Sequence, residues 1–186
     1  VVEVLRNAGF VVHYAGESTT GVLSAAVLEL GAAFSINLTP SHNPLEYGGF
    51  KFNAYDAGPA EPALTNSITR NSLANFEKGG SEWIGEKAPT PVSERTDLNR
   101  IDSLQLWKDL VAGNFESHGL DYDRIVDQFE NNSDIVVVID SVHGASRLHV
   151  KELFKGSDSE RLIHLRSLAD VTFGGIAPEP SSVNLK

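Results

Sequence analysis

With 25 acidic side chains against 15 basic ones, a chain of 186 residues carries a net charge of −10, which argues against a nucleic-acid partner. Its 41% hydrophobic and 22% charged residues are those of a globular protein long enough to bury roughly 70% of its unfolded surface. No apolar run approaches the ~18 residues of a membrane span, so no membrane is expected as a partner. The opening residues lack the basic start and apolar block of a signal peptide, so the cytoplasm is the expected location. Zero cysteine excludes disulfides and thiolate metal sites. Methionine is absent too, which predicts a piece of a longer protein, or a chain from which modified residues are missing.

In chain order, apolar residues at 1, 4, 5 and 8 share one helical face, and Gly9 ends that helix. Residues 10–14 read as a strand and residues 15–18 as a turn. Thr19 or Thr20 caps a helix running to Leu30, with Val22, Leu23, Ala26, Val27 and Leu30 on one face and Gly31 as its stop. Residues 33–38 form a second strand that runs straight into Thr39. Helix, strand, helix, strand at this spacing predicts the βαβ pattern of a parallel sheet. Residues 54–62 are too rich in Gly and Pro for an element, and residues 65–78 read as a helix. Residues 79–100 hold three Gly and two Pro among charged and polar groups, the composition of a long connection, and place a domain boundary near Asp97.

Beyond it, residues 101–111 and 122–129 are helical, separated by a turn at Gly119. The β-branched run at residues 135–139 predicts a strand buried on both faces. Residues 140–144 turn into a helix that reaches Phe154, and residues 162–165 read as a further strand. The pattern is α/β, divided as residues 1–97 and residues 98–186.

Residues 39–53, Thr-Pro-Ser-His-Asn-Pro-Leu-Glu-Tyr-Gly-Gly-Phe-Lys-Phe-Asn, are unlike an ordinary connection. Pro40 and Pro44 fix φ and remove two backbone donors, so the hydroxyl of Ser41, the imidazole of His42 and the amide of Asn43 stay presented between them. Gly48 and Gly49 permit positive φ or a close approach to a ligand, and the cation Lys51 follows. Ser and Asn also serve plain turns. A rigid hydroxyl beside a proton carrier and a cation suits phosphoryl transfer, and the loop leaves the carboxyl end of a strand, where ligands bind in parallel sheets.

The run from Thr39 to Pro44, followed by Gly49-Phe50-Lys51, resembles the phosphoserine loop of the alpha-D-phosphohexomutase superfamily. Pro40 and the continuation through Ala57-Gly58-Pro59-Ala60 are most similar to its phosphoglucomutase branch. Asp140-Ser141-Val142-His143-Gly144, Phe173-Gly174-Gly175 and Pro178-Glu179-Pro180 follow the order of that superfamily's second domain.

The resemblance implies two similar domains with mixed, mainly parallel sheets flanked by helices, the first N-terminally and the second C-terminally incomplete. It implies that Ser41 is the phosphorylated nucleophile, with His42 and Lys51 catalytic and Asn43 and Lys51 against substrate. The expected substrate is a hexose phosphate, glucose 1-phosphate going to glucose 6-phosphate through a bisphosphate. Mg²⁺ is implied on the Ser41 phosphate, with its remaining ligands outside this chain, and glucose 1,6-bisphosphate is implied as activator. The family's Asp-Gly-Asp-x-Asp-Arg metal loop does not occur, so the chain alone is expected to be inactive. Another hexose-phosphate mutase, acting on mannose or glucosamine phosphates, and a non-catalytic sugar-phosphate-binding module of the same fold stay as alternatives.

Asp140 and His143 follow a strand, yet this placement is commoner for a turn and helix cap than for catalysis. Glu179 is a weak candidate contact. Histidines 13, 118, 149 and 164 lack ligand spacing and read as structural. Gly80 and Gly85 have P-loop spacing, but Glu86 stands where Lys is needed. Ser41 lies between Pro and His, not in the Gly-x-Ser-x-Gly of a serine hydrolase.

Overall fold

A computed structural model describes residues 1–43, 46–79, 90–155, 160–175, 178 and 182. The Gly80–Gly85 spacing, Pro44, Glu179 and Pro180 lie outside the described residues. The chain forms two compact units, Val1–Gly16 with Pro59–Asp102, and Glu17–Gly58 with Ser103–Lys186.

In the first unit, α1 (Val2–Asn7) ends as its sequence demands. Gly9 takes φ +86°, so that Gly9 N–H reaches Arg6 O at 2.9 Å and Phe10 N–H reaches Leu5 O at 3.0 Å. These two bonds are a Schellman cap, and they satisfy carbonyls that the helix leaves orphaned. The strand expected over residues 10–14 shortens to β1 (His13–Tyr14), which pairs in parallel with β4 (Asn99–Arg100), inside the stretch expected to be a connection. Its neighbours are polar: Asn99 Nδ2 lies 2.8 Å from His13 Nδ1, and the Arg100 guanidinium stacks over the Tyr14 ring at 5.4 Å.

Helix α3 (Pro62–Glu77) begins three residues before its expected start, with Pro62 in the first turn, where a missing N–H costs nothing. No described residue of this unit is buried. Charge holds its surface instead. Arg95 donates to both Asp97 oxygens at 3.0 and 2.8 Å and to Glu3 at 3.1 Å, and Arg6 also donates to Asp97. Arg95 first, then Arg6, keep the Asp97 carboxyl well below the usual carboxylate range.

The apolar core lies in the second unit. Helix α2 (Thr20–Glu29) buries Val22, Ala25, Ala26 and Val27 and packs on α4 (Ser103–Gly113), which buries Leu104 and Val111. Ala25 takes the inward place that the sequence pattern assigned to Leu30, which is 38% exposed beyond the last turn. After the single turn of α5 (Phe115–His118), Gly119 adopts φ +68° at the expected turn. Helix α6 (Tyr122–Asn131) is capped by the Asp121 carboxylate, which accepts from Arg124 N–H at 3.0 Å, and it buries Val126 and Phe129. Full burial of a Phe stabilises by about 1.5–3 kcal/mol. Arg161 stacks on the Phe129 ring at 4.8 Å and donates to the carbonyls of Phe129 and Asn132, both at 2.7 Å, which closes the C-terminal end of α6.

Strand β5 (Val137–Asp140) pairs in parallel with β6 (Leu162–Leu165), Val138 against Ile163. The expectation of burial on both faces does not hold: burial alternates along both strands, with Val137 and Ile139 half-buried and their neighbours exposed. Val136 and Val138 are each 57% exposed, on the same face as Ile163 and Leu165. The helix expected from Gly144 to Phe154 is a 3₁₀ turn (Ala145–Leu148) followed by α7 (Val150–Leu153). The Arg147 guanidinium, mostly covered, forks onto Glu17, with its Nη2 2.7 Å from Oε2, and also donates to Gly144 O at 3.0 Å. This pair ties the chain entering α2 to the turn leaving β5.

Strand β2 (Ser35–Leu38) departs from the expected βαβ arrangement. It does not pair with β1. It pairs antiparallel with β3 (Phe50–Asn53), a segment read from sequence as part of a loop, with Leu38 opposite Phe50 and Asn37 opposite Lys51. One more rung, Thr39 N–H to Gly49 O at 3.1 Å, extends the hairpin. Gly49 does not use positive φ; a Cβ there would stand 1.7 Å from the Thr39 carbonyl oxygen and 2.9 Å from Pro40 Cα. The glycine permits backbone to lie on backbone. Among the described residues two of the three sheets are parallel and one antiparallel, so the α/β class with mixed, mainly parallel sheets stands. No helix among the described residues is long and apolar enough to cross a membrane.

Two outcomes follow. Gly49→Ala forces Thr39 and Gly49 apart, so amide exchange at Thr39 accelerates at least tenfold while the amides of α4 and α6 keep their protection, as read by hydrogen exchange. Arg147, by hydrogen bond and charge, also lowers the Glu17 pKa below its ordinary carboxylate value. A lowered native pKa gives stability that is present above the unfolded pKa of about 4.3 and lost as pH falls through the native one. Glu17→Gln therefore lowers Tm by a few degrees at pH 7, and the difference from wild type shrinks below pH 4 in thermal melts.

Candidate active site

The hairpin between β2 and β3 carries the residues singled out by sequence, and its base is fastened to α2. Buried Asn53 donates to Ser24 Oγ at 3.0 Å, and Ser24 Oγ donates to Ala57 O at 3.0 Å. Asn37 Nδ2 lies 3.3 Å from Thr20 Oγ1 in the first turn of the same helix. Phe34 and Phe52 stack with centroids 5.1 Å apart. The two strands are thus anchored at their base, and the loop between them is presented to solvent.

Beyond Leu38 the chain turns at once. Asn43 N–H closes a turn on Pro40 O at 3.1 Å, with Ser41 at its first central position and φ +63°. That conformation costs an L-residue of this kind roughly 1–2 kcal/mol. It is offset locally: Ser41 N–H donates to Thr39 Oγ1 at 3.0 Å. The Ser41 hydroxyl is left exposed, with His42 Nδ1 and Lys51 Nζ each 3.4 Å from its oxygen. Lys51 reaches it because the antiparallel register sets β3 beside the strand that leads to the serine.

Ser41, His42 and Lys51, three predicted site residues, therefore meet at one oxygen. Asn43, the fourth, is exposed, and its backbone shapes the turn. Sequence reading did not single out Thr39 as a bonded part of the site. Its signal was a hydroxyl residue two positions before the serine, the spacing at which a Thr side chain accepts from a backbone N–H.

Asp140 and His143 do the structural work expected of them. Asp140 accepts Val142 N–H at 2.9 Å and is clasped by Arg166, whose Nε lies 2.8 Å away. Arg166, then the Val142 amide, hold the Asp140 carboxyl below its ordinary value. His143 Nδ1 lies 2.8 Å from Leu168 O, so that nitrogen carries the hydrogen. Of the later motif, Phe173–Gly175 forms a 3₁₀ turn braced by Asp170, which accepts from Thr172 N–H at 2.8 Å and Gly174 N–H at 3.0 Å. Arg166 had no local signature, since its partner Asp140 depends on strand pairing, whereas Asp170 had one, an Asp two residues before a Thr, the spacing of a turn closed by its own side chain. Among the described residues no group of three or more His, Asp or Glu could hold a metal ion.

Residues 1–78 match the family model for the phosphoglucomutase/phosphomannomutase alpha/beta/alpha domain I. Among curated relatives, Phosphoglucomutase 1 of Drosophila melanogaster is 23% identical over 192 residues, covering 89% of this chain and 31% of the relative. A protein of Methanothermobacter thermautotrophicus named "Probable phosphoglucosamine mutase" is 27% identical over 173 residues, covering 91% and 32%. The Solanum tuberosum protein named "Phosphoglucomutase, cytoplasmic" is 26% identical over 158 residues, covering 77% and 26%. The chain thus spans about a third or less of the length of these relatives. The crystal structure of the Paramecium phosphoprotein pp63/parafusin, open form, superposes with a TM-score of 0.63 at 22% identity, over 93% of this chain and 34% of that one, and shares its fold. With domain I matched at residues 1–78 and relatives of 23–27% identity aligned over most of the chain, the chain is similar, over about a third of their length, to phosphoglucomutases and a phosphoglucosamine mutase.

Proposed function

We propose that this chain carries the phosphoserine loop of a hexose-phosphate mutase of the phosphoglucomutase type, with Ser41 as the residue that holds the phosphoryl group. The observation that carries the proposal is the Ser41 hydroxyl, turned outward by a positive φ and lying 3.4 Å from both His42 Nδ1 and Lys51 Nζ. In the forward step the bond between phosphorus and Ser41 Oγ breaks as phosphorus bonds to a hydroxyl oxygen of the sugar monophosphate. The proton leaving that hydroxyl ends on Ser41 Oγ, delivered through His42 or Lys51. The bisphosphate then turns over, and its other phosphoryl group returns to Ser41 as the proton goes back. The product is the isomeric monophosphate, and the phosphoserine is restored.

Phosphoryl transfer spreads charge over three equatorial oxygens, so positioning and cations supply most of the catalysis. Lys51 answers this need. A net charge of −10 makes it more pressing, because the overall field repels an anionic substrate. Glucose 1,6-bisphosphate would load the serine by giving up one phosphoryl group. Mg²⁺ bound to the Ser41 phosphate would need further ligands, which the described residues do not assemble. We place the protein in the cytoplasm, and we read residues 1–97 as the serine-loop domain and residues 98–186 as part of a second.

The relatives carry more than one activity in their names at similar identity, so the choice of glucose over mannose or glucosamine phosphates is a separate measurement. The test uses the gene's full-length product, incubated with glucose 1,6-bisphosphate and Mg²⁺ and digested for peptide mass spectrometry. One added phosphoryl group on Ser41 is expected, and Ser41→Ala loses both it and at least 10³-fold of glucose 1-phosphate turnover, assayed beside mannose 1-phosphate and glucosamine 1-phosphate. Lys51→Met lowers kcat by about 10²–10³-fold, the usual cost of removing one preorganised electrostatic donor. Turnover with no phosphate on Ser41 overturns the proposal. Binding of sugar phosphates with neither phosphorylation nor turnover would identify a binding module instead.

A further inference from the structure

We propose that Thr39 is a positioning residue for Ser41: its hydroxyl captures the Ser41 amide, holds the left-handed backbone that aims the nucleophile, and keeps that amide away from the phosphate. The inference rests on the phosphoserine reading above.

Two bonds meet at this one residue. Thr39 N–H is the last rung of the hairpin, bonded to Gly49 O at 3.1 Å, and Thr39 Oγ1 accepts Ser41 N–H at 3.0 Å. Gly49 lies two residues before Lys51, so the same side of Thr39 that sets the register of β3 sets where the ammonium group arrives. The other side sets the φ of +63° at Ser41. The missing Cβ of Gly49 allows the Thr39 carbonyl to lie within 1.7 Å of where that atom would be, which locks the two ends of the device together. A hydroxyl is needed at position 39. Valine has the same shape and keeps the rung, but it cannot accept the Ser41 amide.

The bond has a second consequence. A phosphoserine with a free amide folds its phosphate back onto its own N–H, since a charged oxygen is a strong acceptor. In this loop that N–H is already spent on Thr39. The phosphate therefore faces His42 and Lys51, the two groups within 3.4 Å of Ser41 Oγ, and not the backbone. Loss of the Thr39 hydroxyl releases the amide to compete with Lys51 for the group that must be transferred.

The test uses the full-length gene product, labelled with ¹⁵N-serine and loaded with phosphate by glucose 1,6-bisphosphate. In wild type, the Ser41 amide resonance does not follow the phosphate titration near pH 6. In Thr39→Val it does, kcat falls about 10–100-fold with KM within about threefold, and Thr39→Ser restores kcat to within about threefold of wild type. Thermal melts of the Val variant stay within a few degrees of wild type, which separates misaimed chemistry from unfolding. A Ser41 amide that follows the phosphate in wild type overturns the proposal whether or not the variant folds. So does a phosphorylated Thr39→Val enzyme with wild-type kcat. Wild type that carries no phosphate on Ser41 overturns the phosphoserine reading and this proposal with it.

Discussion

The structure of the site depends on one contact between two stretches of backbone, where the Thr39 carbonyl occupies the space a side chain at position 49 would need. An antiparallel hairpin normally keeps its strands apart by the width of the ladder, with side chains clearing one another on either face. Here the glycine leaves that space to the Thr39 carbonyl. The Thr39–Gly49 rung persists, and the residues beyond it start their turn with no slack. The antiparallel register brings Lys51, on one strand, within reach of a serine only three residues past the end of the other.

The strain of a left-handed serine is concentrated at the residue whose hydroxyl is presented, and neighbouring bonds hold it there. Such outliers persist only when their surroundings over-determine them. In this loop the surroundings are Thr39 Oγ1 on the Ser41 amide and the Pro40–Asn43 turn bond. The hairpin base is held on α2 by Asn53, Ser24 and Asn37, and α2 buries the apolar stripe that joins it to α4. An exposed reactive loop is thus fixed by polar bonds to a helix that is itself fixed by apolar burial. The unit made of Val1–Gly16 and Pro59–Asp102 has no buried residue among those described and is held by surface charge pairs.

The uncovered face of the β5–β6 sheet shows how far a sequence pattern can overreach. Ile-Val-Val-Val-Ile has the composition of a central strand, and composition reports what a strand tolerates, not what covers it. With two strands paired, Val137 and Ile139 turn inward while Val136 and Val138 remain largely exposed. Similarly, the helix–strand–helix–strand order at the start of the chain suggested a parallel βαβ unit, yet β2 found its partner across a hairpin. A strand bonds to whichever neighbour closes the shorter loop in the right register, and eleven residues of loop chemistry between Leu38 and Phe50 decided that.

What the sequence determined by itself was the local alphabet. Gly9, Gly31 and Gly119 ended or turned their elements at the predicted places because positive φ is a property of the residue. The apolar stripes located α2, α4 and α6, and the run Thr39-Pro40-Ser41-His42-Asn43 announced a presented hydroxyl from residue chemistry alone. Tertiary structure decided the rest, because the remaining questions were about partners distant in sequence. That Lys51 meets Ser41 depends on an antiparallel register, that Gly49 is needed for closeness and not for φ depends on where Thr39 lies, and that Arg166 belongs to Asp140 depends on two parallel strands ending side by side. A residue type fixes its own torsions and its own donors, whereas a distance between two residues is a property of the folded chain.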